Sequence, residues 1–160
     1  MTTFEIAFFS TSKTATGDIG PMALDDIRHN IDRDIREPLL PVCRALVDRL
    51  ATMKPDQLQR LTYILLADFV QRRPDDDLFQ SALTALTTIK HNPLTMYFVF
   101  YDAGEDREIA ISVNEAMRSV DEALFIHPRT GEEVADFERQ LKPVFRASKE
   151  FVAAITGGHG

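Results

Sequence analysis

Few residues of this 160-residue chain have types and spacings that could do chemistry. Cys43, the one cysteine, follows Pro41 at the start of an expected helix and stands beside Arg44, a setting that can lower a thiol pKa and make it nucleophilic. It also shares a helix face with Leu39, Leu46 and Leu50, and no histidine lies at a useful spacing, so it reads as a small buried hydrophobe. His29 has Asp25 four residues before it and Asp32 three after, which could offer one helix face to a divalent metal. The same stretch pairs Arg28 with Asp32, Asp32 with Arg36 and Arg33 with Glu37 at i, i+4, the pattern of a solvated face laced with weak ion pairs. Asp75, Asp76 and Asp77 lack the alternate-oxygen spacing of a calcium loop and read as caps in a first helical turn. His91, before Asn92-Pro93 at a helix end, and His127, before Pro128 at a hairpin tip, read as structural. Phosphate-loop, dinucleotide-binding, nucleophile-elbow and paired-histidine zinc motifs are all missing from the sequence. The sequence therefore assigns no catalytic residue, no metal ligand and no cofactor.

Two features suit binding rather than catalysis. Arg139, Lys142, Arg146 and Lys149 step by three, four and three residues, which puts them on one side of an expected last helix with no acidic residue between the first and the last. Such a stripe is a dock for an acidic protein surface or for phosphates, or else an exposed face balancing Glu132, Glu133, Asp136 and Glu138. Tyr97 and Tyr101 lie on the same side of an expected strand, where their rings either serve an interface or are covered by a helix.

The elements that must position these residues follow from apolar spacing. Phe4, Ile6 and Phe8 suggest a short strand, and residues 10–20 a polar loop. Leu24, Ile27, Ile31 and Ile35 form a first amphipathic helix that ends before Pro38. Leu39, Val42, Leu46, Leu50 and Met53 form a second; Leu58, Leu61, Leu65 and Phe69 carry a third to Arg72; Phe79, Ala82, Leu83, Leu86 and Ile89 carry a fourth. A hairpin follows, with Leu94 to Tyr101 and Glu108 to Val113 joined by the turn Asp102 to Asp106. Matching its apolar faces sets Phe100, Phe98 and Met96 opposite Ile109, Ile111 and Val113, and Tyr97, Val99 and Tyr101 opposite Ser112, Ala110 and Glu108. Ser112-Val-Asn-Glu115 caps a short helix whose Ala116, Met117 and Val120 can pack inward. A second small hairpin turns at His127 to Gly131, and Phe137, Leu141, Val144, Ser148, Phe151 and Ile155 mark a C-terminal amphipathic helix kinked or divided at Pro143.

The expected fold is thus α+β: a helical unit of about four helices over about 21–92, then the hairpin and C-terminal helix part over about 93–155, with 156–160 a frayed tail. Residues 1–160 read as a single globular domain. A hydrophobic fraction of 44% and a charged fraction of 27% exclude collagen-like and extended disordered chains. Lone Cys43 forms no internal disulfide, and the N-terminus lacks a secretory apolar core, so a cytoplasmic location without membrane insertion is expected.

The order of elements from Pro55 to Val113 resembles a winged helix-turn-helix, with Asp76 to Ile89 as the recognition helix and Asp102 to Arg107 as the wing. A net charge of −7 opposes phosphate backbones at long range, and that helix carries three Asp with no Arg or Lys before Lys90. The leading expectation is a non-catalytic interaction or regulatory module, binding an acidic partner protein or forming a homodimer. A winged-helix-like DNA-binding regulator is the alternative, and an enzyme with a site assembled from distant Asp, Glu and His the third reading.

Overall fold

A computed structural model describes residues 22–157. The expected strand at residues 4–8 and loop at 10–20 lie outside the described residues, as do 158–160 of the tail. The first helix, α1 (Leu24–Asp34), buries Ile27 and Ile31, and the chain leaves it at Ile35, also buried. Next, α2 (Leu39–Leu50) turns Val42, Cys43, Leu46, Val47 and Leu50 inward. After α3 (Tyr63–Phe69), α4 (Asp77–Thr88) begins at Asp76, whose carboxylate accepts the Phe79 N–H at 2.8 Å, so the acidic run does cap a helix.

The third expected helix is shorter and later than its apolar spacing indicates. A single 3-10 turn occupies Pro55–Leu58, and Leu61 is extended instead of helical. Leu61 exchanges backbone hydrogen bonds with Phe145, donating at 2.7 Å and accepting at 2.8 Å, and Thr62 then caps α3. Pairing to a distant segment overrides local periodicity here, and it rotates the inward face to Leu66 and Ala67, leaving Ile64 73% exposed.

Strand β1 (Leu94–Asp102) is the centre of an antiparallel sheet of order β2-β1-β3, with β2 (Arg107–Ile111) on one side. The register is the expected one where the strands pair: Phe98 opposes Ile111, Val99 opposes Ala110, Phe100 opposes Ile109 and Tyr101 opposes Glu108; the expected pairs of Met96 with Val113 and Tyr97 with Ser112 do not form, because β2 ends at Ile111 and Ser112 caps the next helix. Helix α5 (Val113–Glu122) starts at Ser112, whose hydroxyl accepts the Glu115 N–H at 3.1 Å. Its inward residues are Ala116 and Ser119; Met117 and Val120 are 46% and 43% exposed, against expectation. The second small hairpin reduces to one bridge, Ile126 to Glu133, closed by Gly131 in the left-handed region.

The C-terminal helix expected from Phe137 to Ile155 is three elements. A short turn, α6 (Phe137–Gln140), leads into β3 (Leu141–Ala147), and only then does α7 (Lys149–Gly157) begin. Pro143 fits the strand because of where its nitrogen points. Phe145, two residues on, donates its N–H away from β1 to Leu61, so the ring nitrogen of Pro143 also faces away from β1 and no ladder bond to β1 is lost.

Every helix that packs on the sheet does so on one side. Leu94, Met96, Phe145 and Ala147 join the core made by α1, α2, α4 and α7. Farther along the same side, Phe98, Phe100, Ile109, Ile111 and Leu141 join a second cluster with Ala116, Phe125 and Phe137. Phe125 links that cluster, 5.2 Å from the Phe100 ring and 5.8 Å from the Phe137 ring. Among the described residues no helix is long and apolar enough to cross a membrane.

Candidate functional site

Of the residues singled out for binding, the structure gathers four on the other side of the sheet. Tyr97 and Tyr101 project there from β1, and the pairing of Val99 with Lys142 and Thr95 with Arg146 puts both cations of β3 on the same face. The basic residues therefore do not form a helical stripe. A spacing of four keeps two side chains together in either a helix or a strand, whereas a spacing of three does so only in a helix. Lys142 and Arg146 remain partners for that reason. Arg139 falls in α6 and Lys149 opens α7, both off the sheet. Lys149 still lines a groove of about 590 Å³ with Arg146, Thr95 and Gln59 at one end of the face.

The face has an apolar middle and a polar rim. Val99 and Val144 are buried there yet belong to neither core cluster. The guanidinium of Arg146 lies 5.0 Å from the centre of the Tyr97 ring, a cation–π contact between neighbouring strands. Tyr97 donates its hydroxyl to the Gln59 carbonyl at 3.1 Å. Arg60, next to Gln59, grips Glu108 with two bonds of 3.1 and 2.8 Å. Because Leu61 is paired to β3 and Glu108 sits on β2, this fork ties the two edges of the sheet together. Arg60 and Glu108 were not singled out in the sequence, where they are separated by 48 positions with no pattern connecting them.

Tyr101 is 52% exposed and donates its hydroxyl to Asp106 in the hairpin turn. The Asp106 hydrogen bond, with smaller effects of desolvation and the Asp102 charge, pushes the Tyr101 phenol above its ordinary pKa, so it stays a neutral donor at physiological pH. Arg139, Lys142, Arg146 and Lys149 make no salt bridge among the described residues, a state they share with Arg36, Arg49, Lys54, Lys90, Arg107 and Arg118.

A second polar constellation lies at the end of β1. Asp102 is 2% exposed, and its carboxylate accepts Arg129 Nε at 2.6 Å, Arg129 Nη2 at 3.0 Å and the Gly104 N–H at 3.1 Å. The Arg129 hydrogen bonds hold it well below the usual carboxylate range, against burial that would raise it. His127 adds Nε2 at 3.3 Å from Asp102, while its Nδ1 accepts the backbone N–H groups of Arg129 and Thr130. Both ring nitrogens are thus committed, and Nε2 must carry the proton. The cluster is a clamp from the hairpin turn to the loop at His127–Thr130, and it was not legible because its members are spread from Asp102 to Arg129.

The remaining sequence candidates stay apart. Burial pushes the Cys43 thiol up to about 12, and its Sγ faces the Ala82 carbonyl at 3.6 Å, as suits a core residue. None of the expected i, i+4 pairs around His29 forms. Asp32 instead takes Arg44 at 2.7 Å and Arg28 takes Asp48 at 3.1 Å, both from α2, because the two helices pack side by side. Among the described residues no group of three or more His, Cys, Asp and Glu could hold a metal ion. The outward side of α4, with Asp77, Gln80, Ser81 and Thr84, offers no cation to a phosphate backbone. Compared with protein-family models, curated proteins and solved structures, the chain matches none.

Proposed function

We propose that this chain is a non-catalytic interaction module of the cytoplasm that holds an acidic surface of another protein against the exposed polar side chains on the helix-free face of its sheet. The observation that carries this reading is the composition of that face. Tyr97, Tyr101, Lys142 and Arg146 stand around buried Val99 and Val144 in a chain of net charge −7, and no described helix packs over them. Tyrosine and arginine supply area and hydrogen bonds at interfaces, and unpaired cations supply complementarity to carboxylates. The order of α3, α4, β1 and β2 also fits a duplex reader, but the acidic turn and the outward side of α4, which carries Asp77 and no cation, oppose that use.

The test is retention of peptides by the immobilised chain. An Asp/Glu-rich peptide containing aromatic residues should be retained, and its Asn/Gln counterpart should not. The double variant Lys142→Glu, Arg146→Glu should weaken retention about tenfold or more with the melting temperature nearly unchanged. Equal retention of both peptides, or an unaffected double variant, overturns the reading.

A further inference from the structure

Away from the sheet face, the large hydrophobic side chains left in solvent are concentrated in one stretch. Of seven such residues among those described, four lie on α5 and the chain just after it: Met117, Val120, Leu124 and Ile126. Hydrophobic residues exposed singly are ordinary, whereas a contiguous group marks a contact surface.

Helix α5 is built to keep this group outside. Its buried residues, Ala116 and Ser119, are both small, so the helix lies close on the sheet with no long side chain turned inward. Half-buried Val113 and exposed Met117 and Val120 are spaced by four and three residues, which sets them in one stripe about a quarter-turn round from the buried side. Ala123 then enters the left-handed region, and the N–H groups of Ala123 and Leu124 return to the carbonyls of Val120 and Ser119 at 3.2 and 3.0 Å. This closure stops the helix, and with Phe125 turned into the core, Leu124 and Ile126 on either side of it stay exposed.

Charge beside the stripe selects what covers it. Asp121 borders the stripe, and Arg118 stands next to it, farther round on the same flank. Among the described residues neither makes a salt bridge, although they are three positions apart on one helix. We propose that α5 pairs antiparallel with α5 of a second copy of this chain, forming a weak homodimer about a two-fold axis. Met117 then meets Val120 of the partner subunit, and Val120 meets the partner's Met117, as in an antiparallel pair of helices with apolar residues at alternate steps of three and four. The same register brings Arg118 to the partner's Asp121, and the two-fold axis forms that ion pair twice. A parallel pairing has no such match, because it turns this flank toward the uncharged side formed by the partner's Ala116, the partner's Ser119 and the partner's Ala123. Four exposed side chains from each copy make a small contact, which fits a dissociation constant of about 10–100 μM. The pairing does not depend on the sheet face, since Tyr97, Tyr101, Lys142 and Arg146 take no part in it.

The experiment is sedimentation velocity of the full chain between about 5 and 500 μM, a range that brackets such a constant. The sedimentation coefficient should rise with concentration toward that of a dimer. Val120→Asp, at an exposed position, should hold the chain monomeric with its melting temperature nearly unchanged. Arg118→Asp and Asp121→Arg should each weaken self-association about tenfold or more, by setting like charges together twice. An equimolar mixture of those two variants should associate about as well as the unaltered chain, because every such pair is again of opposite sign. Lys142→Glu should associate as the unaltered chain does. A monomer throughout the range overturns the proposal, as does a dimer that Val120→Asp leaves intact. Failure of the mixture to recover association overturns it too.

Discussion

The two sides of β1 are built from the same nine residues and do opposite work. Leu94, Met96, Phe98 and Phe100 meet helices on one side, and Thr95, Tyr97, Val99 and Tyr101 meet only strand neighbours and the Gln59–Arg60 segment on the other. The strand's alternation thus separates the packed core from the helix-free face by a single step along the chain. Substitutions at adjacent positions should then differ in kind.

The largest contrast is between Phe100 and Tyr101. Phe100 is 3% exposed and packs against Phe125, so Phe100→Ala should cost about 3–5 kcal/mol in urea unfolding. Tyr101→Ala should cost about 1 kcal/mol or less and leave the fold intact. Similar losses at both positions would dissolve the contrast. Next is Asp102, which ends the inner side of the strand with a charge where an apolar residue would be expected. Asp102→Asn should cost about 2–3 kcal/mol, because Arg129 keeps its charge and loses a carboxylate. The pH dependence sharpens this point. The folded pKa of Asp102 is depressed, so its stabilisation is complete above about pH 4 and is lost as pH falls from there toward the depressed value. Unfolding curves of the Asn variant should lack that part of the acid slope.

A smaller effect is expected at Gly104. A Cβ there would collide with Arg129 Nη2, so Gly104→Ala should displace the guanidinium and cost about 1–2 kcal/mol. Smallest are the outer cations. Arg146→Ala removes the contact with the Tyr97 ring and should cost about 0.5–1 kcal/mol, and Lys142→Ala should change stability by about 0.5 kcal/mol or less. A loss of several kcal/mol at either cation would mean that the outer side is structural after all.

Much of this was legible locally. The hairpin register followed from matching apolar faces, because a strand has only two, and the caps at Asp76 and Ser112 followed from oxygen-bearing side chains before apolar runs. The segment from Phe137 to Ile155 misled because its apolar steps of three and four are shared between the two faces of β3, both of which bury residues: Leu141 and Phe145 on one, Val144 on the other. A strand buried on both faces loses the alternation that identifies it. The basic residues were misassigned to a helix for the same reason, yet Lys142 and Arg146 kept their common side. What no local reading could reach were the Arg60–Glu108 fork and the Asp102 clamp, whose members meet only once the sheet has closed.

The backbone exchange between Leu61 and Phe145 bears on how the protein is made. Phe145, Phe151, Ala154 and Ile155 fill the same core as Ile27, Leu46 and Leu86, so α1, α2 and α4 must wait for the segment from Phe145 to Ile155 to be synthesised before their shared interior is sealed. A product of premature termination before Leu141 would carry that interior open to water, and quality-control proteases would meet it as an unfinished chain.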